Sequence, residues 1–426
     1  MKRNALILGN GGRESALAYK LNCERVLVHS YPSNPTLSKY CINAPLDKNN
    51  LFDSALKYIR DEEIQLVLIG PEAYLADGLV DFLEANNVNV FGPSKSAARI
   101  ETDKSYAKTL MMENNVPTAG YDIATSKNEC IEKSKRYSFP LVLKVSGLAA
   151  GKGAFVVNDR AEFDRAIKEI YDTSQFLNSN AKVIIEEFMN GEEASLFVIT
   201  DGENALPLPP AQDFKRVGDN DKGPNTGGMG SYAPCKLLTP ALESKAMETI
   251  IRPVLSAMKR EGNPFKGLLY AGLMIDKESV KVVEFNARFG DPETQSIMCI
   301  LSSSLYDILI ETAEGNLRTI KIETTGLSAV TVVIASDGYP GDYKKSIEIS
   351  LDENKLDRNT LLFHAGTKED NGKILSTGGR MLNITSFDKG LEKTIERVYS
   401  NINKINIKGS FYRKDIGKKG LKYEVY

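Results

Sequence analysis

The densest chemistry in the chain lies at its residues 284–293, where Glu284-Phe285-Asn286 is followed by Arg288, Asp291 and Glu293. Residues two apart on a strand share a face, so Glu284 and Asn286 offer a carboxylate and an amide oxygen side by side. That pair suits Mg²⁺, which takes one or two protein oxygens and fills its other positions with phosphate oxygens and water. A Glu-x-Asn triplet alone is common. The charged side chains crowding the same strand exit set this one apart. A second cluster is Lys144 with the glycine-rich run at 147–153, which contains Gly151, Lys152 and Gly153. It is not a Walker A loop, because Gly153 stands where Ser or Thr would have to be. Flexible backbone with two ammonium groups suits the covering of a triphosphate.

Two further motifs read as loops with a purpose. Gly9-Asn10-Gly11-Gly12-Arg13-Glu14 follows an apolar run, as a dinucleotide fingerprint would. Glu14, however, occupies the position of the third glycine, where a carboxylate suits neither close packing nor a pyrophosphate. The loop reads either as a cradle for one phosphate, with Arg13 adding a charged fork, or as a tight strand-to-helix turn. Residues 212–229 mix both charges with glycine (Gln212, Asp213, Lys215, Arg216, Asn225, Thr226, Gly227) and read as a loop closing over a polar acceptor. A solvated surface loop is the plainer alternative.

The elements that must carry these motifs alternate. Residues 5–8, 25–29, 65–69 and 88–91 read as strands, with helices at 14–21 and 79–85 between them. Such alternation implies a parallel sheet, and ligands bind where its strands end, here at Gly9 and at Gly70-Pro71-Glu72. A polar helix is expected over 95–115. Strands are expected at 141–145, 183–185 (running into Glu186-Glu187-Phe188), 280–285, 329–334 and 361–363. Residues 207–234 read as one long loop.

Composition narrows the class. The chain has 426 residues with 54 Lys+Arg and 56 Asp+Glu, so no overall basic field for nucleic acid exists. Five cysteines are scattered and only two histidines are present, which disfavours a zinc centre. No apolar run reaches membrane-spanning length, and the N-terminal apolar stretch is too short for a signal peptide. A cytoplasmic enzyme with reduced thiols is expected.

Taken together, the motifs resemble the phosphoribosylamine–glycine ligase (glycinamide ribonucleotide synthetase) family of ATP-grasp enzymes. GNGGRE at 9–14, GPE at 70–72, KVSGLAAGKG at 144–153, EEF at 186–188, QDFKRVGDNDKGPNTGGMG at 212–230, YAGLM at 270–274 and EFNARFGDPETQ at 284–295 carry the likeness. HAGT at 364–367, STGGR at 376–380 and FYRKDIG at 411–417 extend it almost to the last residue, as in a monofunctional member. The resemblance implies a multidomain α/β fold. Its parts would be an N-terminal parallel α/β domain at 1–102, a two-lobed ATP-grasp core at 103–326 with a mobile lid at about 121–190, and a C-terminal α+β domain at 327–426. It implies ATP-dependent ligation of glycine to 5-phosphoribosylamine through glycyl phosphate, giving glycinamide ribonucleotide, ADP and phosphate in de novo purine biosynthesis. Cofactors would be ATP and Mg²⁺, with Mn²⁺ as a substitute. The partners would be small molecules, neither nucleic acid nor membrane, and the protein a monomer or weak homodimer.

Residue by residue, the resemblance gives Lys104, Lys144, Gly151, Lys152, Gly153, Glu186, Glu187, Phe188 and Glu193 to ATP, and Glu284 and Asn286 to the metal. Gly11, Gly12, Arg13, Glu14, Pro71, Glu72, Asn225, Thr226 and Gly227 would hold phosphoribosylamine. Asp213, Lys215 and Asp291 would meet the amino acid and its acyl phosphate. Arg288, Lys144 and Asp291 are the expected catalytic residues, Arg288 through the charge it offers the transferring phosphoryl group. Three positions depart from the usual family pattern: Ser15 replaces His, Phe214 replaces His and Ser146 replaces Asp. Ser15 motivates an alternative in which the same chemistry serves another amine or amino acid. A catalytically silent nucleotide-binding regulator is a further alternative, against which the retention of Lys144, Glu284, Asn286 and Arg288 speaks.

Overall fold

The computed structural model describes residues 3–147, 153–172 and 182–424. Its N-terminal part is a five-stranded parallel sheet in the spatial order 42–43, 27–31, 4–8, 66–69, 90–91. The central strand Asn4–Leu8 is buried throughout, as expected of a parallel strand covered by helices on both faces. It delivers the chain into the helix Gly12–Cys23, and Leu66–Ile69 delivers it into Glu72–Asp77. Both glycine-bearing exits therefore open on the same edge of the sheet.

The expected polar helix over 95–115 divides at Asp103. Its carboxylate accepts the N–H groups of Ser105 and Tyr106 and so starts a new helix, Lys104–Glu113. Residues 121–187 build an antiparallel four-stranded sheet in the order 121–124, 183–187, 141–145, 154–157. It has its own apolar core around Leu141, Leu143, Phe163, Ile167 and Ile185. A second antiparallel sheet, ordered 205–207, 192–200, 267–276, 279–286, carries Glu284 and Asn286 on its edge strand Ser279–Asn286.

The single loop expected over 207–234 is instead a set of short strands. Arg216–Gly218 pairs with Lys222–Asn225, while Gln212–Asp213 and Gly230–Ala233 join a six-stranded sheet with 328–336, 380–388, 360–364 and 410–411. Polar, glycine-rich composition hid these strands, because each is only two to four residues long and Gly230–Ala233 is completed by the distant strand 328–336. The C-terminal sheet thus shares backbone hydrogen bonds with the segment meant to close over the acceptor. No helix is long and apolar enough to cross a membrane among the described residues, and all five cysteines are free.

Candidate active site

The strand Leu141–Val145 aims Lys144 inward, where it meets Glu186 from the neighbouring strand Val183–Glu187. Lys144 Nζ lies 2.8 Å from Glu186 Oε2 and donates to the Val283 carbonyl at 2.9 Å. Lys108, one helical turn beyond Lys104, closes on the other carboxylate oxygen at 3.2 Å and donates to Thr118 Oγ1 at 2.7 Å. Burial lowers the Lys108 ammonium to about 8, with the nearby Lys144 charge adding to the effect and Glu186 opposing it. Lys104, Lys108, Lys144, Glu186 and Glu284 line one cleft, with Ile100, Met111 and Phe285 as its apolar wall. Apolar walls with a few convergent charges suit a purine base followed by phosphates.

Glu284 sits where that cleft meets the 212–229 segment. Lys215 Nζ reaches Glu193 Oε2 at 2.7 Å and Glu284 Oε1 at 3.3 Å. Burial works to raise the Glu284 carboxyl, but the Lys215, Lys144 and Lys104 ammoniums outweigh it and bring it to about 2. An ionised carboxylate with Asn286 on the same strand face fits a hard divalent ion at this place. No group of three or more His, Cys, Asp or Glu suited to a metal occurs among the described residues. A metal at Glu284 and Asn286 would therefore draw its remaining ligands from phosphate oxygens and water.

A third group links three parts of the fold. The Arg288 guanidinium lies 2.9 Å from Glu101 and 3.3 Å from Glu72. Glu101 is buried, and its other oxygen accepts the Ala287 N–H at 2.7 Å, which fixes the backbone just ahead of Arg288. Arg13, also buried, donates to the Phe289 carbonyl at 2.9 Å. Asp291 is held by Gln295 at 2.6 Å and by Arg380 at 2.9 Å. Burial opposes ionisation of Asp291, but Arg380 and Arg13 keep its carboxyl below the usual range.

The Gly9–Glu14 loop differs from a free phosphate cradle. Glu14 turns inward and accepts the Gly11 N–H at 2.6 Å and the Arg13 Nε–H at 2.6 Å. A side chain on Gly70 would collide with this carboxylate, which explains glycine at the second sheet exit. Glu14 therefore shapes the loop and steadies Arg13 beside the place expected to hold the ribosylamine. Pro71 packs beside Gly9 and leads into the helix bearing Glu72. Gly12 lies against Asn383 and Gln295, so the C-terminal sheet backs this loop.

Asp213 is half-buried, and burial followed by the Glu293 charge raises its carboxyl well above the ordinary value. Thr226 is buried and accepts the Gly228 N–H, building the turn around Gly227, while Asn225 ends the short strand before it. Glu187 and Phe188 stand apart from the charged cluster: the Glu187 side chain returns to the Gly120 N–H, and Phe188 is among the exposed apolar residues. Gly153 is buried, its carbonyl accepting the Val145 N–H. Gly151 and Lys152 lie outside the described residues, as does most of the glycine-rich run.

Several residues at the site escaped the sequence reading. Lys108 had a signal, since four residues after Lys104 on a helix is the same face. Glu101, Arg380 and Arg413 had no signal for their partners, because the Ala287, Gly227 and Arg216 groups they bind lie 186, 153 and 197 residues away. Of the departures, Ser15 is buried at the N-terminal to C-terminal junction and donates to the His364 carbonyl at 2.8 Å. Ser146 donates to Asp103 at 3.1 Å. Phe214 is buried beneath the Arg413 guanidinium at 5.0 Å.

Comparison with known proteins agrees along the whole length. The phosphoribosylglycinamide synthetase N domain matches residues 3–101, the ATP-grasp (A) domain residues 102–294 and the C domain residues 329–419. A phosphoribosylamine–glycine ligase of Leptospira interrogans is 40% identical, covering 99% of this chain and 100% of that protein. One from Agrobacterium fabrum is also 40% identical, covering 97% of each. The crystal structure of the phosphoribosylamine–glycine ligase of Thermotoga maritima superposes with a TM-score of 0.84 at 32% identity, covering 97% of this chain and all of that one. A biotin carboxylase from Campylobacter jejuni, at 15% identity and a TM-score of 0.73, shares the fold alone. The chain, an α/β protein with an ATP-grasp core between its N- and C-terminal domains, belongs to the phosphoribosylglycinamide synthetase family.

Proposed function

We propose that the chain joins glycine to 5-phosphoribosylamine at the expense of ATP, giving glycinamide ribonucleotide, ADP and phosphate. The observation that carries this reading is the meeting of the Lys144–Glu186 cleft, the Glu284–Lys215 cluster and the Arg288–Asp291 group along one strand and its exit. In this order they offer sites for a triphosphate, for the group transferred and for the group that accepts it.

In the first step a glycine carboxylate oxygen attacks the γ-phosphorus of ATP and ADP departs, leaving glycyl phosphate. Lys104 and Lys144 neutralise charge on the triphosphate, and Arg288 on the transferring group. Glu284 and Asn286 would hold the divalent ion, Mg²⁺ or Mn²⁺, which supplies charge neutralisation between the phosphates when bound. In the second step the ribosylamine nitrogen attacks the glycyl carbonyl, the amide forms and phosphate leaves with one original carboxylate oxygen. Asp213, Lys215 and Asp291 orient the amino acid. Arg13, Gly11, Gly12, Glu72, Asn225, Thr226 and Gly227 surround the ribosylamine and its phosphate. Glu186, Glu187, Phe188 and Glu193 hold the nucleoside. Positioning and charge carry such a reaction, so scarce histidine is no obstacle.

The same reading makes the protein a cytoplasmic monomer or weak dimer acting on small molecules alone. The 121–190 lobe moves as a lid, consistent with its separate core. Ser15 gives no support to a different acceptor, since its hydroxyl is spent on the His364 carbonyl inside a domain junction. The test is phosphate release from Mg-ATP with glycine, with freshly generated phosphoribosylamine, and with both. Release that needs both and yields glycinamide ribonucleotide is expected. Release with phosphoribosylamine absent, or with another amino acid preferred, would contradict it.

A further inference from the structure

We infer that Arg380, on the C-terminal strand Arg380–Asp388, is a positioning residue for the amino-acid end of the site. This rests on the function proposed above and deepens it. Arg380 Nη1 donates to the carbonyls of Gly227 at 2.5 Å, Asp291 at 2.7 Å and Gly228 at 3.4 Å. Its Nη2 donates to Asp291 Oδ2 at 2.9 Å. One planar guanidinium thus ties together two loops that come from different sheets. One carries Asp213, Lys215 and the 225–228 turn; the other carries Arg288 and Asp291. A lysine could not do this, because its single ammonium lacks the rigid fork.

The surroundings are shaped for the same job. Gly228 has φ +108°, and a side chain there would strike Pro292 and press on Asp213. Tyr339 Oη, also from the C-terminal domain, accepts the Gly227 N–H at 3.0 Å. The 225–228 turn is therefore held at its N–H by Tyr339 and at its carbonyls by Arg380. Gln295 fixes the other Asp291 oxygen at 2.6 Å. With both terminal nitrogens engaged by protein acceptors, Arg380 acts through Asp291 and the turn, setting how far apart the two loops stand.

The experiment compares Arg380→Met, Arg380→Lys and Tyr339→Phe in the full chain by steady-state kinetics and by hydrogen exchange without substrates. Loss of charged hydrogen bonds predicts that Arg380→Met raises the glycine KM about tenfold or more while the ATP KM changes less than about twofold. Arg380→Lys recovers part of the loss, and Tyr339→Phe gives a smaller shift in the same direction. Amides of 225–229 and 290–291 exchange faster in Arg380→Met, a readout that stands even if glycine is not the substrate. An unchanged glycine KM, a uniform rise in all KM values with a lowered melting temperature, or unchanged exchange in those loops would overturn the inference. A parent chain inactive with glycine yet showing the exchange change would overturn only the proposed substrate.

Discussion

Acidification should loosen this protein through one imidazole. His364 ends the strand Thr360–His364, is buried, and shares a hydrogen bond of 2.9 Å between Nδ1 and Thr367 Oγ1. Its backbone is bound on both sides: the N–H donates to Thr36 Oγ1 at 2.8 Å and the carbonyl accepts from Ser15. Burial lowers its pKa from 6.5 to about 4. The unfolded chain therefore takes up this proton at higher pH than the folded protein does, and stability falls as pH drops from 6.5 towards 4. Linkage gives a loss of about 2 kcal/mol between pH 7 and pH 5 from this group alone, and about 3 kcal/mol by pH 4. Urea unfolding at pH 7, 6 and 5 of the parent and of His364→Asn measures it, since the variant keeps an amide near the Nδ1 position but cannot titrate. The parent should lose about 2 kcal/mol more than the variant over that range. Equal pH slopes, or an NMR titration midpoint for His364 near 6.5, would refute the reasoning.

Glu284→Gln keeps the side chain's size but removes the charge that suits a divalent ion. Activity should fall on the order of a hundredfold or more, with partial recovery at high Mg²⁺ and an unchanged melting temperature. Lys108→Met should weaken ATP binding. In the parent, the ATP KM should rise above pH 8 as this ammonium loses its proton, and that rise should be absent from the variant. Arg413 is nearly fully buried, pairs with Asp415 at 2.8 Å and Asp221 at 3.1 Å, and donates to the Arg216 carbonyl at 2.9 Å. Arg413→Met leaves Asp221 to Lys419 alone and takes the cation from Asp415, and should cost about 2 kcal/mol in urea unfolding.

The sequence was most legible where chemistry and element coincide. Leu141–Val145 and Leu79–Ala85 stand where the apolar pattern puts them, and Glu284 and Asn286 share a strand face as period two demands. Less legible was anything decided by distant pairing. Residues 207–234 looked like a loop because their strands are short, one pair being a small hairpin and the others completed by a sheet whose remaining strands begin at 328. The capping of the Gly11 N–H by Glu14 was not legible either, because it depends on the space beside Gly70. The arginines that bind the C-terminal domain to the site, Arg380 and Arg413, sit in motifs whose partners lie far away in sequence. Helix periodicity could have flagged Lys108; only the fold could reveal why Glu101 is needed under Arg288.

In the proposed reaction glycine is activated as an acyl phosphate before the amine attacks. Glycine labelled with ¹⁸O in both carboxylate oxygens, turned over with Mg-ATP and phosphoribosylamine, tests it in one mass spectrum of the released phosphate. One labelled oxygen in each phosphate and one in each product amide is the expected result. Phosphate carrying no label would mean that the carboxylate never bonded to the γ-phosphorus, and would contradict the account.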